Sequence, residues 1–170
     1  SKSIAELSQL LKPNKYKKIF ILSGKNSFFL SGAKKIIHKN KNKKKFYFYF
    51  KKSKIPEINE LKDIIFKLKG FDPDLILAIG GGSVLDYAKI ANSIKYNENL
   101  ELQIKKGECN IKKYRPLFAI PTTAGSGAEV SSNAVIYIKK IKYSVEDKSL
   151  LPDKFLLIPE LIIGLKNKSA

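Results

Sequence analysis

A five-residue apolar run, Leu75–Ile79 (LILAI), passes directly into Gly80-Gly81-Gly82-Ser83 and then into a helical pattern from Val84 to about Ser93. That order constrains the fold more than any other feature. A short apolar run bounded by turn residues reads as a strand buried on both faces, and such strands usually pair in parallel through helical crossovers. The neighbouring patterns agree. Lys18–Ser23 (KIFILS), Lys45–Phe50 (KFYFYF), Leu117–Ile120 and Phe155–Ile158 read as further short strands. Ile4–Leu11, Ser31–His38 and Glu57–Lys69 read as helices; Leu61, Ile64, Ile65 and Leu68 line one face of the last, and Gly70 is expected to stop it. Strand and helix alternate, which predicts an α/β domain: a largely parallel sheet flanked by helices. Ala134–Ile138 and Lys142–Val145 read as a small β-hairpin around Lys139 and Lys140, while residues 95–115 are polar and weakly patterned. A chain of 170 residues suits one domain, so residues 1–170 are expected to form a single unit.

The formal net charge of +18 raises nucleic acid as a partner, because basic patches neutralise phosphates. Two details count against it. Of the 33 basic residues only Arg115 is arginine, the usual bidentate reader of bases and phosphates. The lysines are also spread along the chain, and the one dense run, Lys39, Lys41, Lys43, Lys44 and Lys45, falls in a helix-to-strand connection. No apolar run is long enough to cross a bilayer, so no membrane partner is expected. The single cysteine, Cys109, cannot form an internal disulfide, and a reducing cytoplasm fits.

Two stretches carry chemistry. Gly80–Ser83 joins a strand to a helix, where glycine lets a ligand come close and the helix N–H groups favour an anion. The spacing is not G-x-G-x-x-G, so at this point a phosphate cradle and a plain tight turn both fit. Ser83 and Asp86 have the spacing of a capping box, and Lys89, one turn on, reads as a surface ion-pair partner for Asp86. Pro121–Gly127 (PTTAGSG) is the second stretch; its hydroxyls and glycines suit a ribose, an amide or a phosphate oxygen. Two such loops at strand ends read together as the two sides of a ligand cleft.

Gly80–Lys89 (GGGSVLDYAK) resembles the GGGSxxDxAK motif of the iron-containing, metal-dependent (group III) alcohol dehydrogenases, and Pro121–Glu129 (PTTAGSGAE) resembles that family's PTTAGTGSE. The order and separation of the motifs match as well. The resemblance implies a Rossmann-like domain that binds NAD or NADP. It implies that Gly81, Gly82 and Ser83 hold the cofactor pyrophosphate, that Asp86 also belongs to the cofactor site, and that Thr122, Thr123 and Ser126 line the ribose and nicotinamide side. Asn133 and Lys142 match positions that approach the cofactor. In the complete enzyme of this family the nicotinamide exchanges hydride with an alcohol or aldehyde, and the family implies a possible homo-oligomer. Ser23–Ser27, Lys142–Ser144 and Ser149–Asp153 resemble the phosphonoacetaldehyde reductase branch more narrowly.

The resemblance also implies a divalent metal, iron or zinc, held mainly by a helical C-terminal domain. The expectation here is that this domain is absent, that no metal ligand or catalytic residue lies in the chain, and that the chain alone is inactive. His38, the one histidine, reads as a surface residue. Rival readings are the cofactor domain of a dehydroquinate synthase-like or polyol dehydrogenase relative, and a nucleotide-binding or interaction module without catalysis. No acidic residue occurs between Lys12 and Pro56, and Lys25 follows the first strand, so a cation stands where an adenosine 2′-phosphate would lie.

Overall fold

A computed structural model describes residues 2–11, 16–30, 33–38, 44–123 and 125–158. The strands are β1 (Lys18–Gly24), β2 (Lys45–Lys51), β3 (Leu75–Gly80), β4 (Leu117–Pro121), β5 (Asn133–Ile138), β6 (Ile141–Glu146) and β7 (Lys154–Phe155). The helices are α1 (Lys2–Leu11), α2 (Lys25–Leu30), α3 (Ala33–His38), α4 (Ile58–Phe71), α5 (Gly82–Ala91) and α6 (Leu100–Lys106). A five-stranded sheet runs in the order β2-β1-β3-β4-β7, every neighbouring pair parallel. β5 and β6 form a separate antiparallel hairpin. The expected α/β class and parallel sheet are what the chain forms.

Alternation along the strands sorts the core into two layers. Phe20, Leu22, Ile76, Ala78, Leu117 and Ala119 face α4, α5, α6 and the hairpin. Ile19, Ile21, Leu75, Leu77, Phe118 and Ile120 face α1, α2 and α3. The chain moves from β1 outward to β2 and then crosses back to β3. The carboxyl ends of β1 and β3 are therefore the switch point where an open α/β sheet leaves a crevice for ligands.

Several local expectations are corrected. Gly70 does not stop α4; the helix runs through it and ends at Asp72, whose φ of 49° closes it with a bond from its N–H to Leu68 O. Asp tolerates this left-handed conformation better than most residues, and its carboxylate is held by Arg115 Nη2 at 2.7 Å. That guanidinium lowers the Asp72 pKa from its ordinary value. The polar stretch 95–115 contains α6, which turns only Leu100 and Ile104 inward. α2 starts directly after β1, in a stretch where no element was expected. The last strand is only Lys154–Phe155, because the chain leaves the sheet after one short pairing with Phe118 and Ala119. The hairpin is as expected: Lys139 and Lys140 both take positive φ, 49° and 66°, the geometry of a two-residue turn matched to strand twist. Ser31, the expected start of α3, and Pro159–Leu161 lie outside the described residues.

Candidate functional site

β3 and β4 are paired so that Gly80 stands opposite Pro121, and both motif loops leave the sheet level with each other. The Thr122 N–H donates to Gly80 O at 3.0 Å, holding the loops together where they begin. Beyond that point they interlock. A β-carbon at Gly81 would lie 3.0 Å from Thr123 Oγ1, and one at Gly82 would lie 3.1 Å from Ser126 Cβ. A β-carbon at Gly80 would lie 2.6 Å from Val84 Cγ2, so any side chain there displaces the start of α5. The three glycines are needed first for close packing of helix, strand and second loop. In that loop Gly125 and Gly127 hold φ of 95° and 60°, which side chains resist.

The cap of α5 differs from the expectation. Gly81, in extended conformation, is the N-cap; its carbonyl accepts from the N–H groups of Val84 and Leu85, and no side chain caps the helix. Ser83 is already inside the first turn, so the Ser83–Asp86 capping box does not form. A helix start leaves its first N–H groups without intrahelical partners, and here those belong to Gly82 and Ser83. Both point the positive end of the α5 dipole into the crevice.

Asp86, one turn into α5, accepts a hydrogen bond from the Val135 N–H on the hairpin. Burial pushes its pKa up to about 6, against the opposing pull of Lys89, that hydrogen bond and Lys142. Lys89 is not a surface residue. It is fully buried, and its Nζ donates to Ser131 O at 2.8 Å, Ser131 Oγ at 3.0 Å and Asn133 O at 3.0 Å. Burial lowers the Lys89 pKa, while Asp86 and Glu129 raise it. The last residue of the first motif thus grips the backbone that follows the second. Tyr87 performs a similar tie on the other side of α5: its hydroxyl accepts from the Glu57 N–H at 2.6 Å and donates to Glu60 Oε2 at 3.0 Å. Burial would raise the Glu60 pKa, but the N–H groups of Lys52 and Ser53 and the Tyr87 hydroxyl bring it below its ordinary value.

Thr122 is buried, and among the described residues its Oγ1 has no hydrogen-bond partner; nor has the buried Oε2 atom of Glu129. Buried polar atoms are nearly always satisfied, by protein or by ordered water or ions, so these two call for a partner. Of the expected site residues, Gly81 meets Thr123, Gly82 meets Ser126, and Asp86 faces Lys142. Asn133 is exposed at the start of β5 and contributes its carbonyl to Lys89. Lys25 is exposed at the start of α2, at the carboxyl end of β1, the strand beside β3. Ser23 is buried and donates from Oγ to Ile79 O at 2.5 Å, so it ties β1 to β3 rather than facing a ligand. Lys89 and Glu129, the charged residues that close the two motifs, are the ones that sequence reasoning undervalued. Among the described residues no three His, Cys, Asp or Glu side chains gather as metal ligands, and His38 is exposed. These residues do not fit a metal.

A family model described as iron-containing alcohol dehydrogenase matches residues 1–159. An alcohol dehydrogenase from Thermococcus barophilus is 36% identical over 113 residues, covering 62% of this chain and 30% of that protein. A 4-hydroxybutyrate dehydrogenase from Clostridium kluyveri is 34% identical over 115 residues, covering 66% of this chain and 30% of that protein. The chain thus matches less than a third of the length of these curated relatives. Among solved structures, the iron-containing alcohol dehydrogenase from Thermococcus thioreducens superposes with a TM-score of 0.77 at 26% identity, over 94% of this chain and 44% of that one. Sulfoacetaldehyde reductase from Bifidobacterium kashiwanohense, solved in complex with NAD+, shares the fold with a TM-score of 0.81 at 23% identity, over 94% and 43% of the two chains. With both motifs interlocked at the carboxyl ends of β3 and β4 and a family match over nearly its whole length, this chain belongs to the iron-containing alcohol dehydrogenase family.

Proposed function

We propose that residues 1–170 are a nicotinamide-dinucleotide-binding domain that serves an alcohol dehydrogenase or aldehyde reductase. The observation that carries this reading is the buried Thr122 Oγ1, without a partner among the described residues, in the loop that interlocks with a helix start whose first N–H groups, Gly82 and Ser83, have no intrahelical acceptor. The N–H groups of Gly82 and Ser83 would hold the pyrophosphate, with the dipole of α5 behind them. Thr122, Thr123 and Ser126 would orient the ribose and nicotinamide. Asp86 and Lys142 would set the charge along the hairpin side of the crevice, and Asn133 would offer a neutral amide there. When bound, the nicotinamide supplies hydride exchange with an alcohol or aldehyde carbon. The chain's own part is to fix the cofactor and its surroundings. A metal that polarises the substrate oxygen would need ligands from outside the described residues.

The narrower likeness to phosphonoacetaldehyde reductases finds less support. Ser23 is spent on Ile79, and Asp153 accepts from the Leu117 N–H at 2.8 Å and from Lys113 at 3.2 Å, both structural uses. Calorimetric titration with NADH tests the proposal. Thr122→Val, which removes the orphan oxygen and keeps the shape, is expected to weaken NADH by about tenfold, the worth of one buried hydrogen bond. Equal affinities for the wild type and the variant would reject the assignment.

A further inference from the structure

The cofactor crevice lies at the start of α5; a second cavity lies at its other end. It has a volume of about 810 Å³, within the range of small-molecule sites. Ala91 and Ile94 form its floor at the end of α5, and α4 supplies Ile65, Phe66 and Leu68. Arg115, whose Nε donates to Pro73 O at 3.1 Å, closes the side where β3 and β4 begin, so the cavity sits at the amino-terminal edge of the sheet.

Its lining is of two kinds. Three aromatic rings stand partly in solvent at the cavity: Phe66 is 70% exposed, Tyr96 54% and Tyr114 37%. Exposed large aromatics gathered at one concavity are a costly surface unless something covers them. The charged residues are all cationic: Lys62, Lys69, Lys95 and Arg115, with no carboxylate among the lining residues. Lys62 is paired with Glu101 and Arg115 with Asp72, whereas Lys69 and Lys95 make no ion pair among the described residues. Lys95 Nζ stands 5.4 Å from the centroid of the Tyr114 ring, so cation and aromatic surface are presented side by side.

We propose that this cavity is a second binding site, for a small aromatic anion: a planar ring body with a carboxylate, sulfonate or phosphate group. The body would lie against Phe66, Tyr114 and Ile94, and the anionic group would meet Lys95 and Lys69. The site is independent of the cofactor crevice.

Fluorescence titration with anilinonaphthalenesulfonate, an aromatic anion, tests this against the uncharged N-phenylnaphthylamine. The expected result is saturable binding of one anion per chain, about threefold tighter than the neutral dye, because Lys69 and Lys95 are exposed cations and solvent screens such contacts. Lys95→Glu, at an exposed position, is expected to weaken the anion by about threefold and leave the neutral dye unchanged. Phe66→Ser, at an exposed position that folding does not depend on, is expected to weaken both. Saturating NADH is expected to leave the dye in place. Equal binding of the two dyes, unchanged affinity in both variants, or displacement by NADH would overturn the proposal.

Discussion

Against one face of the sheet, α1, α2 and α3 pack Leu7, Leu11, Phe28 and Ile37 onto Ile19, Ile21, Leu77 and Ile120. Against the other, α4, α5 and the hairpin bury Glu60, Tyr87, Lys89 and Asn92 among the aliphatic side chains. The first layer is held by shape and area, which tolerate exchange between similar side chains. The second is held by paired polar groups, each fixed to a particular partner: Glu60 to the N–H groups of Lys52 and Ser53, Lys89 to Ser131 and Asn133, Asn92 to the backbone of Arg115. Both motif loops belong to the second layer. Positional accuracy is concentrated on the side of the sheet that carries α5 and both motif loops.

The largest expected effect breaks that contrast if it fails. Lys89→Met removes a buried cation from three oxygens and leaves Asp86 and Glu129 without it. A loss of about 3–5 kcal/mol in urea unfolding is expected, as when one partner of a buried charged set is removed. Ile21→Val, on the apolar face, is expected to cost only about 1 kcal/mol. Similar losses for both would mean that the two layers are not held differently.

A pH series sharpens the same comparison. Burial raises the Asp86 pKa to about 6, above its ordinary value, so folding favours the protonated acid. The stability linked to this group is therefore present below about pH 4 and is lost as the pH rises through 6. Asp86→Asn keeps an acceptor for the Val135 N–H and removes the buried charge. It is expected to stabilise the protein by about 1–2 kcal/mol at pH 8 and to be nearly neutral at pH 4. A gain that does not change with pH would show that the Asp86 charge carries no such cost.

The smallest effect lies outside both layers. Lys25, exposed at the start of α2, is expected to favour NADPH over NADH by about two- to fivefold, and Lys25→Ala to erase that preference. Calorimetry with both cofactors at low and high salt checks it. A marked NADH preference in the wild type would remove Lys25 from the crevice.

What the sequence revealed followed from periodicity and punctuation. The buried strand Leu75–Gly80, the parallel sheet and the two-lysine hairpin turn were legible because apolar runs and turn positions report them directly. α6 was not, because a seven-residue helix with two inward residues leaves almost no periodic trace. α2 was hidden by its lack of a capping side chain or an acidic first turn. At the site, the residue types and their order were readable, but their partners were not. Lysine is so common in this chain that one buried copy looked like the rest, and only three-dimensional packing distinguishes Lys89 from Lys25. The helix cap went to Gly81 rather than Ser83: the Gly81 carbonyl already accepts from the N–H groups of Val84 and Leu85, which places Ser83 inside the first turn.

The strand order also bears on synthesis. β1 lies between β2 and β3, so a ribosome must extend the chain through Gly80 before both edges of KIFILS are covered. Until then an apolar strand and the aromatic run KFYFYF share the nascent chain with open edges, the condition that favours misassembly between chains. Lys17 and Lys18 precede the first, Lys25 follows it, and Lys44, Lys45, Lys51 and Lys52 bracket the second. Charges in these places act as gatekeepers against edge-to-edge association. Part of the large positive charge thus serves the unfinished chain, before any ligand is met.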